Sequence, residues 1–415
     1  MDKATAEGTK PRLRFTGYQK FVVAVLAFLQ FTIILDFMII SPLGAMMMPT
    51  LHINPQQFGF AVSSYAFSAG ASGLLAAGFA DRFDRKRLLL FFYAGFMLGT
   101  LLCALADTFP LLLAARIVTG LFGGVIGSVV LAIATDLFPL EMRGRVMGFI
   151  QTAFAASQVL GLPAGLYFAN HWDWHAPFYA IIAVAVPAGL VIAFWMRPVS
   201  AHLTLHQEHS PWMHLAHTLA EPRYRLAFIL TMLLPTGGYM LMPFGTAFIV
   251  ENIGLPLSSL PTIYLITGLC TVFVGPLVGR ASDSFGKFNT FCFGTLLTIV
   301  MVLIWTNLGR EPLAVVVLIN VMMFIGIFSR MIPSQALLTA IPEITKRGAF
   351  NAVSASLQQV AGGVSAAVAG AVLIETPAGV LEHFNWLGYI VMAVASLSLL
   401  LMYFVHKQVP EPPPR

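Results

Sequence analysis

Long apolar runs, separated by short polar stretches, follow one another along almost the whole chain. A transmembrane helix needs about 20 mostly apolar residues to cross the hydrocarbon core of a bilayer, which is about 30 Å thick. Strands of a membrane β-barrel would instead alternate apolar and polar residues over about ten positions, and these runs do not. Twelve runs of helical length are present, at about 20–48, 56–80, 88–107, 109–137, 142–170, 175–196, 224–250, 259–281, 288–308, 312–340, 346–374 and 384–406. The pattern predicts an all-α membrane protein with twelve transmembrane helices.

The composition agrees with a chain that lies mostly in lipid. Of its 415 residues, 58% are hydrophobic and only 10% are charged, whereas soluble domains have about 25% charged residues. Cys103, Cys270 and Cys292 lie inside apolar runs, so the sequence suggests neither a disulfide framework nor a cysteine-based metal site. The net charge of +5 comes from short loops rather than from a basic soluble domain. We therefore expect a lipid bilayer, and no nucleic acid, as the partner of this chain.

The basic residues are distributed unequally between the two sides of the predicted membrane. If the N-terminus is placed in the cytoplasm, 20 of the 23 Lys and Arg residues fall in inner segments. The outer loops contain only Arg310, and the other two, Arg116 and Arg330, lie within spans. Because cytoplasmic loops of membrane proteins carry an excess of Lys and Arg, this distribution predicts that both termini are cytoplasmic.

The two parts of the chain repeat several motifs at a nearly constant spacing. Pro42–Gly44 in the first span recurs as Pro243–Gly245, and Gln158–Gly161 in the fifth span recurs as Gln359–Gly362, each 201 residues later. The acidic residues that follow the second and eighth spans are 202 residues apart. Matches at one spacing in corresponding spans indicate an internal duplication. The sequence thus predicts two six-helix halves.

A polar segment joins the two predicted halves. We expect an N-terminal half over residues 1–196, a linker over 197–223 and a C-terminal half over 224–415. The linker contains half of the ten histidines, namely His202, His206, His209, His214 and His217. Their spacing matches no zinc-site template, and no cysteine or paired carboxylate joins them. A solvated or interfacial connector is therefore favoured over a metal site.

Three motifs relate the chain to a known family. Asp81–Lys86 follows the second span, Arg116–Gly120 lies in the fourth span, and Leu35-Asp36 precedes Pro42 in the first span. With these motifs the chain resembles the major facilitator superfamily over essentially its whole length. The first-span motif is similar to that of the drug:proton antiporter branches of this family.

The resemblance implies a cytoplasmic gate around the loop after the second span. Its residues are expected to be Asp81, Arg82, Arg85, Asp136 and Asp283. Asp81 is expected to cap the start of the eleventh span near 346–348, where a carboxylate suits the positive end of a helix. Arg85 is expected to pair with Asp136 at the inner end of the fourth span. These contacts would hold the two halves together on the cytoplasmic side in the outward-open state.

The chain departs from the family pattern in two places. Ala77 and Asp84 stand where the loop after the second span usually has glycines, and Asp tolerates left-handed backbone better than most residues. The antiporter motif of the fifth helix is reduced here to Gly161–Gly165. The second departure weakens the inference of antiport and keeps import by symport or uniport open.

Three ionisable side chains fall at mid-membrane depth. At about 1.5 Å per helical residue, Asp36 lies about 24 Å from the cytoplasmic end of its span, Arg116 about 30 Å and Arg330 about 20 Å. A charge at this depth costs about 2.5–3.5 kcal/mol on insertion scales, so each residue is a candidate for function. We predict that Asp36 and Arg116 couple proton movement and that Arg330 contacts substrate. A structural carboxylate and an interhelical brace are the alternatives.

The resemblance also implies a central cavity lined by the first, fourth, seventh and tenth helices. Pro and Gly interrupt the seventh span over 235–243, and Pro42 lies in the first span. Such interruptions at corresponding positions of two repeats point to a transporter's binding site. Methionines near them offer adaptable apolar surface, although the same residues also serve as core filler. We expect the substrate cavity to include Arg330, Tyr239, Met240, Met242, Gln158 and Gln359.

These features favour a secondary transporter that exports a small organic solute against proton entry by alternating access. A symporter or uniporter that imports a neutral or anionic metabolite, and a non-transporting receptor on the same fold, are the alternatives. The sequence has no phosphate-binding loop and no His-Glu-x-x-His motif, so we expect neither an ATP-driven pump nor an enzyme. We expect no cofactor, a proton gradient as the driving force, and a monomer in a plasma membrane, specifically a bacterial inner membrane.

Overall fold

The computed structural model describes residues 15–77, 79–200, 203, 217–343, 347–377 and 379–408, so most of the His-rich linker lies outside it. Within the described residues, twelve helices are long and apolar enough to cross a membrane, which confirms the predicted fold class. The ten unbroken ones are α1 (Gly17–Leu51), α2 (Pro55–Ala77), α3 (Arg85–Ala104), α4 (Phe109–Leu137), α6 (Ala176–Trp195), α8 (Leu260–Phe285), α9 (Lys287–Thr306), α10 (Leu313–Ala340), α11 (Arg347–Val372) and α12 (Phe384–Gln408).

The fifth and seventh spans each contain a π-helical turn. We name these spans α5, which comprises Leu140–Ala156, the turn Ser157–Gly161 and Leu162–His171, and α7, which comprises Arg225–Leu233, Thr236–Ala247 and the turn Phe248–Ile253. We call α1 to α6 the first half and α7 to α12 the second half. Turns of this kind are frequent at functional sites of helices.

An even number of crossings places the start of α1 and the end of α12 on the same side of the membrane. The short connection between α2 and α3 lies on this side and contains Arg82, and the first turn of α3 adds Lys86 and Arg87. We therefore call it the basic side. The other side, reached by the connections between α1 and α2 and between α11 and α12, is called the opposite side.

α1 is one continuous helix of 35 residues, although Pro42 and Pro49 lie within it. At its start, Thr16 Oγ1 accepts a hydrogen bond from the Gln19 amide at 3.2 Å, and the Gln19 side chain accepts one from the Thr16 amide at 3.0 Å. The helix continues past both prolines, because each removes a single backbone donor. The seventh span is interrupted as predicted, between Leu233 and Thr236.

Buried apolar side chains form three cores. Toward the opposite side, a shared core contains residues of both halves; Phe58 of α2 and Phe244 of α7 meet there with ring centroids 5.8 Å apart. Toward the basic side, each half has its own core, around Phe92 in the first half and Phe350 in the second. The two halves therefore share one core at the opposite side, whereas toward the basic side each has its own core and Leu74 of α2 packs against that of the second half.

The helices α5 and α8 show this separation directly. Gly268 of α8 lies against the backbone of α5, since a Cβ placed there would be 3.0 Å from the carbonyl oxygen of Gln158. Nearer the basic side, Gly148 of α5 and Gly275 of α8 have no neighbouring atom within 4 Å of the Cβ position. α5 and α8 thus diverge as they approach the basic side.

The helices α2 and α11 form a seam that holds the two halves together. A Cβ at Gly59 would lie 2.8 Å from the carbonyl oxygen of Ala366 and 3.2 Å from Cα of Gly370. Nearer the basic side, a Cβ at Gly73 would still lie only 3.3 Å from Oγ of Ser356. Real Cβ atoms require more room than Gly59 offers, so the close approach of the two backbones depends on glycine.

A short hairpin on the opposite side is the only β-structure among the described residues. Its strands, β1 (Ile374–Glu375) and β2 (Leu381–Glu382), are antiparallel and join α11 to α12. The Asn252 side chain donates to the Leu381 carbonyl at 2.9 Å and accepts from its amide at 3.0 Å, which ties the hairpin to α7. Burial, followed by the Glu251 carboxylate, raises the pKa of Glu375 above its ordinary value.

We predict that Gly59→Val loosens the seam between α2 and α11. Overpacking of this kind costs about 1–3 kcal/mol, so the variant should melt at a lower temperature and separate the halves at the opposite side. Thermal unfolding, together with spin-label distances between α2 and α11, measures both effects. Gly127→Val in α4 is the control, because no neighbour lies within 4 Å of that Cβ position. Equal behaviour of the two variants would contradict the prediction.

Candidate functional site

A buried ion pair lies at the centre of the first half. Arg116 of α4 donates from Nη1 to Oδ2 of Asp36 on α1 at 3.0 Å, and both side chains have zero solvent exposure. The structure thus brings together two residues that the sequence places at similar depth. A charge in this environment is tolerated only when it is paired, because neither water nor lipid solvates it.

Two more helices of the first half complete the surroundings of this pair. Thr100 of α3 donates to Oδ1 of Asp36 at 3.0 Å, so both carboxylate oxygens accept a hydrogen bond. The Tyr65 ring of α2 lies 4.5 Å from Cζ of Arg116, which stabilises the guanidinium by a cation–π interaction. Among the described residues, Nε and Nη2 of Arg116 have no hydrogen-bond partner, so the guanidinium retains donor capacity.

Close packing of α2 against α4 brings the Tyr65 ring to Arg116. A Cβ at Gly120 would overlap the Tyr65 carbonyl oxygen, so the two backbones touch one turn from Arg116. The Thr119 hydroxyl donates within α4, to the carbonyls of Ala115 and Arg116. The four helices α1 to α4 therefore hold the ion pair within one rigid half.

An aromatic path connects the ion pair to the second half. The Phe37 ring lies 5.2 Å from the Tyr65 ring and 5.8 Å from the Tyr239 ring of α7, measured between centroids. The Tyr239 hydroxyl donates to Oε1 of Gln359 on α11 at 2.7 Å. Of the predicted cavity residues, Tyr239 and Gln359 thus lie together near the predicted coupling residues.

The other predicted cavity residues have different surroundings. Met240 is only 1% exposed and belongs to the shared core, which agrees with the core-filler alternative; its place in the cavity stays a prediction. Met242 is half-buried against the same core. Gln158 lies where α5 meets α8 and accepts a long hydrogen bond, 3.4 Å, from the Thr271 hydroxyl.

Arg330 lies inside the second half and away from the Asp36–Arg116 pair. Its Nη2 donates to the Ser398 hydroxyl of α12 at 3.1 Å, and its Cζ is 6.0 Å from the centroid of the Phe291 ring of α9. It is 7% exposed, and the described residues provide no carboxylate partner for it. These contacts do not favour Arg330 as a substrate ligand, and that role stays a prediction.

The structure describes the side chains of most of the predicted gate residues. Arg85 donates from Nε to Oδ2 of Asp136 at 3.2 Å and from Nη1 to the Ala80 carbonyl at 3.1 Å, so the expected pair at the inner end of α4 is present. Arg82 and Asp283 are exposed. The Asp81 side chain and its expected partners at 346–347 lie outside the described residues.

Asp84 has a different role from the one its position in the family motif suggests. Its φ of −56° lies outside the left-handed region, and its carboxylate accepts a hydrogen bond from the Arg87 amide at 3.0 Å. It therefore caps the N-terminus of α3, where a short acidic side chain is favoured.

The sequence did not predict a role for Thr100, Tyr65 or Phe37 around the ion pair. Phe37 follows Asp36 directly, and Thr100 is a polar residue within an apolar run, so weak signals existed for both. Tyr65 carries no signal of its own, because a tyrosine in a membrane helix is more commonly an interfacial anchor. Only the packing of α2 on α4 reveals its contact with Arg116.

Comparison with known proteins agrees with this architecture. The model of the Major Facilitator Superfamily matches residues 26–366. An MFS-type transporter of Bacillus subtilis, YceJ, is 28% identical over 271 residues, which cover 64% of this chain and 68% of that protein. Multidrug resistance protein 2 of the same species is 22% identical over 275 residues, which cover 65% of this chain and 68% of that protein.

A solved structure shows the same fold. It is that of a bacterial homolog of the human lysosomal transporter Spinster, in an inward-facing and occupied conformation. The two structures superpose with a TM-score of 0.77 at 14% identity, over 96% of this chain and 100% of the other. Twelve spans in two packed halves, the match of the family model and this fold together establish that the chain belongs to the Major Facilitator Superfamily.

Proposed function

We propose that this protein is a proton-coupled exporter of small organic solutes in a bacterial plasma membrane. The buried Asp36–Arg116 ion pair is the observation that carries this proposal. It is the only carboxylate–guanidinium pair with no solvent exposure among the described residues, and it lies beside the contact between the two halves. Relatives of this chain include multidrug resistance proteins, which supports export of an organic solute.

The basic side is taken as the cytoplasmic side. The excess of Lys and Arg in the loops of that side supports this orientation, with both termini in the cytoplasm. The shared core then closes the route to the outside, whereas on the cytoplasmic side α5 and α8 diverge while α2 and α11 stay in contact. In this orientation the structure represents an inward-facing state, in which solute would enter from the cytoplasm.

Proton binding at Asp36 provides the coupling step. A proton on the carboxylate removes its charge and weakens its attraction to Arg116, which retains two donors without partners. Export against proton entry then requires that the solute binds better to the ionised pair than to the protonated one, so that proton binding releases the solute. Since Arg116 lies against Tyr65, and the ring path continues through Phe37 to Tyr239, a change at the pair also alters the contact between the halves. Differential contacts of this kind are what coupling requires.

Import by symport or uniport is the second candidate. The reduced fifth-helix motif, whose Gly161 ends the π-helical turn of α5, is the observation that favours it. A Cβ at this glycine would lie 2.7 Å from Cδ1 of Leu35, next to Asp36, so the altered motif contacts the coupling helix. The direction of solute movement in proteoliposomes distinguishes import from export, and absence of any movement would favour a receptor.

We predict that Asp36→Asn abolishes uphill solute transport driven by a pH gradient. The amide keeps the size of the side chain but cannot cycle a proton, so binding and exchange of solute across the membrane should persist. Proteoliposomes with an imposed gradient, assayed for accumulation and for counterflow, measure the two activities separately. Thr100→Val is the matched control, because it removes a hydrogen bond to the same carboxylate and leaves the carboxylate in place. Gradient-driven accumulation by Asp36→Asn at the wild-type rate would refute the coupling role.

Arg116→Met should lower the stability of the folded protein by about 3–5 kcal/mol, because it leaves the Asp36 carboxylate buried without a cation. Replacing both residues, as Asp36→Leu with Arg116→Met, should recover most of this loss while transport stays absent. Unfolding in mixed micelles provides the measurement. Arg330→Met is the control, since Arg330 contacts a hydroxyl rather than a carboxylate, and it should cost less. A larger loss for Arg330→Met than for Arg116→Met would reverse this interpretation.

The orientation is tested by thiol labelling of intact cells, with the three native cysteines replaced by alanine. Cysteines at exposed positions on the opposite side, Thr108→Cys and Glu311→Cys, should react with a membrane-impermeant reagent. Those on the basic side, Ser200→Cys and Ser284→Cys, should react only after the membrane is opened. The reverse pattern would place the termini outside.

A further inference from the structure

A pocket of about 410 Å³ lies in the second half near the basic side. Its residues belong to three helices: Leu277, Val278, Ala281 and Phe285 of α8, Asn289, Thr290 and Phe293 of α9, and Ile325 and Ser329 of α10. The α8 and α9 residues Phe285 and Phe293 are 73% and 59% exposed, whereas Ser329 is 2% exposed. The pocket is thus a wedge between α8 and α9, with α10 as its floor, and its mouth faces the surrounding lipid.

The depth of the wedge matches one leaflet of the bilayer. Phe285 is the last residue of α8 and Lys287 is the first residue of α9, so both mark the membrane boundary on the basic side. Leu277 lies eight residues before the end of α8, which corresponds to a depth of about 12 Å. The wedge therefore opens into the acyl-chain region of the leaflet on the basic side.

The corresponding wedge of the first half is filled by aromatic rings. Phe79, Phe92 of α3 and Phe122 of α4 form it, with centroid distances of 6.4 Å between Phe79 and Phe92 and 5.9 Å between Phe92 and Phe122. The positions 202, 202 and 204 residues later hold the small residues Ala281, Gly294 and Gly326. These spacings are those between the starts of α3 and α9 and of α4 and α10. Ala281 lines the wedge, whereas Gly294 and Gly326 lie where α9 and α10 pack closely, since a Cβ at Gly294 would be 2.6 Å from Cβ of Ser329. The wedge of the second half therefore has a methyl group at the position where the first half has the Phe79 ring.

The lining of the wedge suits a hydrocarbon chain. Asn289 donates its side-chain hydrogen bond to the Phe285 carbonyl, and Thr290 donates its own to the Gly286 carbonyl, each at 3.0 Å. The hydrogen-bonding donors of these two side chains are therefore directed at the start of α9, and six of the remaining lining side chains are hydrocarbon. A volume of this size is typical of sites for small molecules, which are mostly apolar with a few polar groups at one end.

The charges at the mouth of the wedge favour an anion. Arg280 and Lys287 are both exposed at this end of α8 and α9. Lys407 lies in the last turn of α12, which packs beside α9. Asp283 is the only carboxylate on the short connection between α8 and α9 and the turn before it. The excess of positive charge lies at the level where the phosphates of the leaflet are found.

We propose that this wedge is a specific site for one acyl chain of an anionic phospholipid, with the lipid phosphate held by Lys287 and Arg280. The acyl chain lies beside Ala281, at the position where the first half has Phe79, and so connects α8, α9 and α10 at their basic ends. The site lies on the lipid-facing surface of the second half, away from the Asp36–Arg116 pair, and does not depend on the direction or coupling of transport.

The site is tested by photolabelling of the full-length protein in lipid nanodiscs. Phosphatidylglycerol with a diazirine in its acyl chain should label the wedge of the second half about tenfold more strongly than the Phe79–Phe122 wedge, as mapped by peptide mass spectrometry. Ala281→Phe should reduce this labelling about tenfold, since exclusion of two methylenes from an apolar site weakens binding by about that factor. Val272→Phe, on the same helix outside the wedge, is the matched control and should label as wild type. If the Ala281→Phe variant does not insert into the membrane, Leu277→Trp is used instead to fill the wedge.

The head group is tested by competition between lipids. Unlabelled phosphatidylglycerol should displace the photolabel more effectively than phosphatidylcholine, and Lys287→Gln should reduce this preference about fivefold. Lys20→Gln, which removes an exposed basic residue at the start of α1, should leave the preference unchanged. Equal labelling of both wedges, unchanged by either filling variant, would show annular lipid only and overturn the proposal. Displacement by a transported solute but by neither lipid would also overturn it, in favour of a solute site.

Discussion

A carboxylate without access to water determines how the first half is built. Asp36 lies at mid-membrane depth, and its burial is possible only because three other helices contribute groups to it: Arg116 from α4, Thr100 from α3 and, through the guanidinium, Tyr65 from α2. Each contribution requires a particular helix face at a particular depth. The relative rotation of α1 to α4 is therefore fixed by the ion pair as much as by apolar packing, which in lipid distinguishes weakly between helix faces.

The spans and the depth of charges could be predicted from the sequence, because both depend on counting along a helix. The run at 109–137 coincides with α4, Phe109–Leu137, and the depths expected for Asp36 and Arg116 agree with their pairing. Which side chains face protein and which face lipid could not be predicted in the same way. Membrane helices are apolar on all sides, so no stripe marks the face that contacts protein. Met240 was therefore placed in a cavity although it lies in the shared core.

The two halves differ both in local backbone and in chemistry. The π-helical turns lie in α5 and α7, which are not equivalent spans of the predicted repeat. Among the described residues the buried ion pair lies in the first half, whereas Arg330 in the second half contacts a hydroxyl and a ring. Each half has thus specialised. The first contains the candidate proton site, and the second contributes Tyr239 and Gln359 to the contact between them.

The length of α1 links this chemistry to the membrane itself. Its 35 residues extend about 52 Å at 1.5 Å per residue, which exceeds the full thickness of a bilayer, about 40–45 Å including head groups. A helix that is too long for its membrane tilts or thickens the bilayer around it. Because Asp36 lies on this uninterrupted helix and is held by α3 and α4, a change in tilt moves the ion pair together with the first half. Hydrophobic mismatch therefore acts on the depth of the ion pair in the bilayer, which becomes dependent on the thickness of the host membrane.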